Sequence, residues 1–197
     1  MRRAGDGRGG CRLSGTAEIA ELPAHEPQGA LDLLRHYLRD LVYGANDGII
    51  TTFAVVSGVA GASLPARTVL ILGAANLLAD GFSMGASNFL AIRSDEAVRL
   101  ARDEPPAEPF PLRHGIATFT AFVGAGVVPL LPYLAVEPGS RFSVAVAATL
   151  TTLFIVGALR STVTALRWWK AGAEMLAVGT LAAAVSYGVG WLLAGTP

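Results

Sequence analysis

Long stretches without charge constrain most strongly how this chain can fold. No charged residue lies between Asp47 and Arg67, and only Asp80 lies between Arg67 and Arg93. Three further stretches carry no charge at all: 115–136, 142–159 and 175–197. A bilayer core of about 30 Å needs roughly 20 mostly apolar residues in a helix. A helix on the surface of a soluble protein would show a polar face within such a run. The sequence therefore predicts an all-α integral membrane protein.

Five membrane-spanning helices are predicted. They cover about residues 41–62, 68–92, 115–135, 142–163 and 173–194, within one transmembrane domain over 41–197. Ahead of them, residues 29–40 place leucines at helical spacing among charged side chains, which predicts an amphipathic helix at the cytoplasmic interface. Residues 1–28 contain no apolar segment of the kind found in signal peptides, so we expect a disordered cytoplasmic tail.

Basic residues in the connections predict the orientation, because loops rich in Lys and Arg stay in the cytoplasm. One side of the membrane carries Arg35, Arg39, Arg93, Arg99, Arg102, Arg113, Arg160, Arg167 and Lys170. The other side carries only Arg67 and Arg141. We therefore expect the N-terminus in the cytoplasm and the C-terminus outside. Short connections and the absence of a targeting segment favour a prokaryotic plasma membrane over a vacuolar membrane.

Composition excludes several other classes of protein. The chain has 15 basic and 15 acidic residues, whereas a nucleic-acid-binding protein needs a clustered basic excess. One cysteine cannot form an intramolecular disulfide, and no Cys/His spacing resembles a zinc site. The spans contain no Ser/His/Asp group, nucleotide-binding loop or haem motif. We therefore expect neither an enzyme nor a bound cofactor.

Two carboxylates interrupt the apolar spans. Asp47 lies about 9 Å along span one from its cytoplasmic end, and Asp80 lies near the middle of span two. An ionisable group in hydrocarbon costs several kcal/mol, and an Asp side chain is too short to reach the interface. Both residues are therefore candidates for function.

Polar side chains accompany both carboxylates at helical spacing. Carboxylate and amide oxygens suit hard divalent cations, and a thioether adds preference for transition metals. The predicted metal-binding residues are Asp47, Asp80, Met84, Asn46, Asn76, Ser83 and Asn88. Polar residues in membrane helices also bond to neighbouring helices, so packing is an equally good explanation for Asn46, Ser83 and Asn88. Core filling is the ordinary role of a methionine such as Met84, and the pairs Gly44/Gly48 and Gly81/Gly85 indicate close helix packing.

The segments around the two carboxylates resemble a known family. Residues 41–54, LVYGANDGIITTFA, and 76–85, NLLADGFSMG, are similar to the first two spans of the vacuolar iron transporter family. The resemblance covers about residues 36–194. It implies a homodimer of five-helix subunits that exports Fe²⁺, and often Mn²⁺, from the cytosol in exchange for protons. It also implies a pathway between the subunits, lined by their first two spans, in which Asp47 and Met84 match residues implicated in translocation.

Two features depart from the pattern of that family. A span-two glutamate of some members falls at Asn76, and Asp80, one turn later, is expected to take over its acidic role. The long metal-collecting insertion between spans two and three is missing. We expect the acids of the short connection to form a solvated linker: Asp95, Glu96, Asp103, Glu104 and Glu108. His36 is expected at the surface and His114 at the interface, rather than as metal ligands.

Two alternative functions remain open. One is a transporter of the same architecture for another cation or an organic solute, because loss of the insertion can change specificity. The other is a non-transporting membrane interaction protein that has kept the fold. Metal flux driven by a proton gradient separates the predicted function from both.

Overall fold

A computed structural model describes residues 29–162 and 167–195 of the chain. Within these ranges the chain forms six α-helices and one short 3₁₀ helix, and it contains no strand, which confirms the all-α prediction. The helices are α1 (Ala30–Gly61), α2 (Ala66–Ala101), α3 (Pro111–Gly126), α4 (Leu131–Ala135), α5 (Arg141–Arg160) and α6 (Trp168–Ala194), with the 3₁₀ helix at Val128–Leu130. The tail predicted over residues 1–28 lies outside the described residues.

Helix α1 runs without a break through two segments that were predicted separately. The amphipathic segment 29–40 and the first span 41–62 form one helix of 32 residues. No proline lies in this stretch, and Asp40, where the two segments meet, is buried against α3 through a contact with His114. A continuous helix follows because nothing in the local sequence ends the hydrogen-bond ladder at residue 40.

Four helical segments of the described chain are long and apolar enough to cross a membrane: 66–101, 111–135, 141–160 and 168–194. They correspond to predicted spans two to five. Helix α1 is not among them, because the polar residues Asn46 and Asp47 and the charged residues before them lower its hydropathy. The apolar composition of these four segments supports a multi-pass membrane protein.

Prolines interrupt the third membrane segment. Helix α3 ends at Gly126, the 3₁₀ helix contains Pro129, and Pro132 lies in the first turn of α4. Proline removes a backbone donor and clashes with the preceding turn, so the regular helix cannot continue. Pro129 and Pro132 are both buried, which places the break inside the bundle.

Helix α1 lies at the centre of the bundle and contacts α2, α3, α5 and α6. Its buried side chains Phe53 and Val56 form a core with Phe122 of α3 and Leu77 of α2. Helix α3 in turn contacts both α1 and α2. This arrangement brings the polar parts of the first two predicted spans together beside α3.

Candidate functional site

A polar cavity of about 470 Å³ lies between α1, α2 and α3. It has room for on the order of ten water molecules. Its lining comprises Arg39, Asp40, Tyr43, Asp47, Met84, Ser87, Asn88, Ala91 and Thr118. Four of these, including Tyr43 and Ser87, are exposed, so the cavity is open to the outside of the subunit. Three of the predicted metal-binding residues, Asp47, Met84 and Asn88, therefore share one open cavity.

Glycines on α1 fix the position of Asp47. A Cβ atom added at Gly44 would lie 2.5 Å from the Thr118 backbone oxygen, and one at Gly48 would clash with the backbone of Phe122. The backbones of α1 and α3 therefore touch on either side of Asp47. One turn further, the Thr51 hydroxyl donates to the Asp47 backbone oxygen at 2.9 Å. The packing role predicted for Gly44 and Gly48 is confirmed.

Close glycine contacts with α3 also fix the position of the cavity residues of α2. Gly81 and Gly85 are buried against α3, where a Cβ atom at Gly85 would lie 2.7 Å from the Gly115 oxygen. Met84 and Asn88 stand beside this glycine face and are partly buried. Asp80 does not line the cavity, so the structure brings only Asp47 of the two predicted carboxylates into it.

Asn88 links α2 to both neighbouring helices. Its Nδ2 donates to Asp40 Oδ1 of α1 at 2.9 Å and to Thr118 Oγ1 of α3 at 2.8 Å. The Thr118 hydroxyl donates in turn to the His114 backbone oxygen at 2.9 Å. The amide nitrogen of Asn88 thus holds three helices together, while its side chain also lines the cavity.

The other predicted site residues are not gathered into the cavity. Asn46 and Asn76 are partly buried and Ser83 is exposed, and none of the three contributes to the cavity lining. The Asn46 side-chain oxygen is buried without a hydrogen-bond partner among the described residues. Only part of the polar stripe predicted along α2 therefore faces the cavity.

A second polar group, which the sequence did not predict, lies next to the cavity. His114 at the start of α3 is buried, and its Nδ1 lies 2.6 Å from Asp40 Oδ2. Its Nε2 lies 3.1 Å from Glu108 Oε2, and His36 Nε2 lies 3.2 Å from the same oxygen. We call this group the His36–Glu108–His114 cluster. It joins α1, α3 and the connection between α2 and α3.

Glu108 is held in place by its own loop. The Glu96 carboxylate of α2 accepts hydrogen bonds from the backbone N–H groups of Ala107 at 3.0 Å and Glu108 at 2.8 Å. Arg99 Nε donates to the Pro105 oxygen at 3.0 Å. The prediction of a solvated linker is therefore wrong for Glu96 and Glu108. His114, at the start of α3, is buried within the protein, where Asp40 and Glu108 are the partners of its two ring nitrogens.

The spacing of these residues explains why the sequence did not reveal the cluster. His36, Glu108 and His114 come from three parts of the chain, and no periodic pattern connects them. The only local indication of the cluster is that Glu108 and His114 lie six residues apart, where the charged connection ends and an apolar span begins. The contribution of α1 could not be predicted without knowing that α1 packs against α3.

Comparison with known proteins assigns the chain to a family of transporters. Residues 38–105 and 98–191 match the profile of the VIT family. The chain is 25% identical over 240 residues to Vacuolar iron transporter of Toxoplasma gondii, covering 88% of this chain and 80% of that protein. It is 31% identical over 161 residues to Vacuolar iron transporter homolog 4 of Arabidopsis thaliana, covering 77% and 81%. It is 25% identical over 252 residues to Vacuolar iron transporter 1 of Oryza sativa subsp. japonica, covering 96% and 97%.

These relatives agree with the resemblance found from the motifs around Asp47 and Asp80. They are named as transporters, which agrees with the prediction that the chain is not an enzyme. They are named as vacuolar, so they lend no support to the predicted prokaryotic plasma membrane. The matched residues include most of α1, all of α2 and α3, and the residues that line the polar cavity. The chain is therefore a member of the VIT family.

Proposed function

We propose that the protein moves Fe²⁺, and also Mn²⁺, out of the cytosol in exchange for protons, through a pathway that begins at the polar cavity. The observation that carries this proposal is the cavity itself. It gathers two carboxylates, Asp40 and Asp47, the Met84 thioether and polar side chains beside an otherwise apolar bundle. Carboxylates attract a divalent cation, and the thioether favours a transition metal over Ca²⁺ or Mg²⁺.

Protons and metal compete for the same carboxylates in this proposal. Asp47 lines the cavity, and a divalent cation and a proton bind the same carboxylate oxygens, so binding of one releases the other. Metal leaving Asp47 on the far side of the membrane is replaced by a proton, which is then released on the cytosolic side. In this scheme Asp80 takes the acidic role in span two, and Asn46, Asn76 and Ser83 act as further metal ligands along the pathway.

A second copy of the chain completes the pathway in the proposal. Tyr43 of α1 is 68% exposed, and Ser87 and Ala91 of α2, which line the cavity with it, are also exposed, so the cavity opens toward a face that the subunit leaves uncovered. A homodimer that packs α1 and α2 of both subunits together would close this face. Helix α1 would then also cross the membrane and bring the number of spans to five, because the partner subunit and the central pathway shield its polar residues from lipid. The basic connections would face the cytoplasm.

Transport into proteoliposomes tests this function. We expect Fe²⁺ uptake under an imposed pH gradient by the wild type, and at least about a hundredfold slower uptake by Asp47→Asn, because the amide can neither hold the charge of the ion nor exchange a proton. Asp95→Asn removes an exposed acid of α2 outside the cavity and serves as the matched control, with uptake unchanged.

Two results would contradict the proposal. Equal Fe²⁺ uptake by Asp47→Asn and the wild type would remove Asp47 from the pathway. A wild type that transports neither Fe²⁺, Mn²⁺, Co²⁺ nor Zn²⁺ would favour another solute or a protein without transport activity.

A further inference from the structure

The His36–Glu108–His114 cluster contains more hydrogen-bond acceptors than donors. A neutral imidazole carries a single N–H, so it can donate to only one of the two carboxylates that face His114. Its Nδ1 lies 2.6 Å from Asp40 Oδ2 and its Nε2 lies 3.1 Å from Glu108 Oε2. When Nδ1 donates to Asp40, the lone pair of Nε2 faces Glu108. Two lone pairs cannot face one another at this distance without a positive group between them. The site therefore requires an added proton or a metal ion.

The spacing of the ligand atoms suits a metal ion. Two ligands about 2.1 Å from one metal are separated by about 3.0 to 3.4 Å in octahedral and tetrahedral geometry. Glu108 Oε2 lies 3.1 Å from one imidazole Nε2 and 3.2 Å from the other, and all three ligand atoms fall within 4.8 Å of one another. Small movements of His36, which is partly exposed, would complete the coordination.

The surroundings of the cluster also fit metal binding. The hydrogen bond from His114 Nδ1 to Asp40 fixes the ring and leaves Nε2 as the ligand, which is the usual arrangement behind a metal-bound histidine. Two imidazoles and one carboxylate with open positions form a ligand set that Fe²⁺ takes, and imidazole disfavours Mg²⁺ and Ca²⁺. We propose that His36, Glu108 and His114 bind a divalent transition-metal ion and load it into the polar cavity.

Asp40 connects the His36–Glu108–His114 cluster to the polar cavity. One of its oxygens contacts His114 and the other accepts from Asn88, and Asp40 and Asn88 both line the polar cavity. His36 lies about 16 Å along α1 from Asp47, at 1.5 Å per residue. The proposal that the cluster loads metal into the cavity rests on the proposed transport function, whereas the proposal that the cluster binds metal does not. In this scheme the cluster collects metal on the cytoplasmic side without the long insertion between spans two and three.

Co²⁺ binding to the purified full-length chain tests the metal site apart from transport. The Asp47→Asn variant, with any affinity tag removed, serves as the background, because it lacks the central ligand of the cavity. With Mg²⁺ in excess, we expect one Co²⁺ per chain, with a visible absorption band from nitrogen coordination. Adding His36→Ala or Glu108→Gln should weaken Co²⁺ binding by at least about tenfold and abolish that band. Glu104→Gln changes an exposed acid of the same connection and should leave binding unchanged.

The variants are chosen so that the outcome does not depend on folding. His36 and Glu108 are partly exposed, whereas His114 is buried and stays in place. Unchanged elution of the detergent complex confirms the fold. Co²⁺ affinity unaffected by both substitutions, or no Co²⁺ bound in the Asp47→Asn background, would overturn the site. Binding that depends on the cluster, in a protein that transports no metal, would support the site while overturning the transport function.

Discussion

At the scale of single residues, Asp40 is the point where the described polar contacts converge. Its Oδ2 contacts His114 and its Oδ1 accepts a hydrogen bond from Asn88, so both oxygens are satisfied in a buried position. A buried carboxylate is costly unless it is paired and hydrogen-bonded. These contacts fix the Asp40 side chain between the His36–Glu108–His114 cluster and the polar cavity. Tyr43, one turn further along α1, lies on the same cavity but is exposed.

Replacing Met84 with leucine should change selectivity rather than folding. The two side chains have similar volume, so the free energy of unfolding should change by less than about 1.5 kcal/mol. The thioether is lost, and with it a ligand that prefers Fe²⁺ over the harder Mn²⁺. We expect the ratio of Fe²⁺ to Mn²⁺ uptake in proteoliposomes to fall severalfold. An unchanged ratio would mean that Met84 only fills space beside α3.

The sequence predicted some of these residues and missed others for a physical reason. Asp47 and Asp80 could be identified because a charge in an apolar run is expensive wherever the helix lies. Asn88 was recognised, but its bonds to Asp40 and Thr118 depend on how the helices pack. His36, Glu108 and His114 lie in polar surroundings, where neither charge nor periodicity separates a functional group from a solvated one.

At the scale of helices, glycine contacts determine where the polar cavity lies. Gly48 meets the backbone of Phe122, and Gly85 meets Gly115 at the other side of α3. Contacts of this kind let two helix axes approach more closely than side chains would allow. Helix α3 therefore holds α1 and α2 at a fixed separation, with Asp47 and Met84 facing the space between them.

A methyl group at Gly48 should destabilise the protein. It would overlap the Phe122 backbone, which has no rotamer to change, and overpacking of this kind costs about 1–3 kcal/mol. We expect Gly48→Ala to lower the thermal unfolding midpoint in detergent by several degrees.

Gly124→Ala is the matched control, since nothing lies within 4 Å of a Cβ atom at that position on α3. There the better helix propensity of alanine should leave stability unchanged or slightly raised. Equal midpoints for Gly48→Ala and Gly124→Ala would show that the α1–α3 contact is looser than described.

The existence of the helices could be predicted more fully than their limits. Long apolar runs, interrupted in α2 only by Asp80, indicate α2, α5 and α6, because their length alone is enough to predict a membrane-spanning helix. The continuity of α1 through residue 40 could be predicted from the absence of a helix-breaking residue, whereas the burial of Asp40 against His114 could not, because it depends on how α1 packs against α3. The break in α3 could be predicted, since Pro129 and Pro132 act locally.

At the scale of the whole molecule, large apolar side chains are exposed along several helices of the described chain. They include Ile71 and Phe82 of α2, Ile155 of α5, and Leu181 and Trp191 of α6, all more than half exposed. A soluble monomer does not carry apolar surface on this scale. In a membrane, lipid covers most of this apolar surface, and the proposed homodimer covers the part beside Tyr43.

Cysteine cross-linking tests which face a second copy covers. In a Cys11→Ser background, we introduce cysteine one at a time at the exposed positions that line the cavity opening, Tyr43 of α1 and Ser87 and Ala91 of α2. We expect mild oxidation in membranes to produce a covalent dimer for at least one of them. Leu181→Cys on α6, a 67% exposed position away from the cavity, is the control and should stay monomeric. Dimers only through position 181 would place the interface on the wrong face.

The glycine contacts of α3 have a consequence for which parts of the protein can move. Backbone packed against backbone leaves no side chain whose rotation could part α1 or α2 from α3. We therefore expect α1, α2 and α3 to shift together as one rigid body. Any rearrangement that the proposed transport requires would then displace this body against α5 and α6, or against a second copy of the chain.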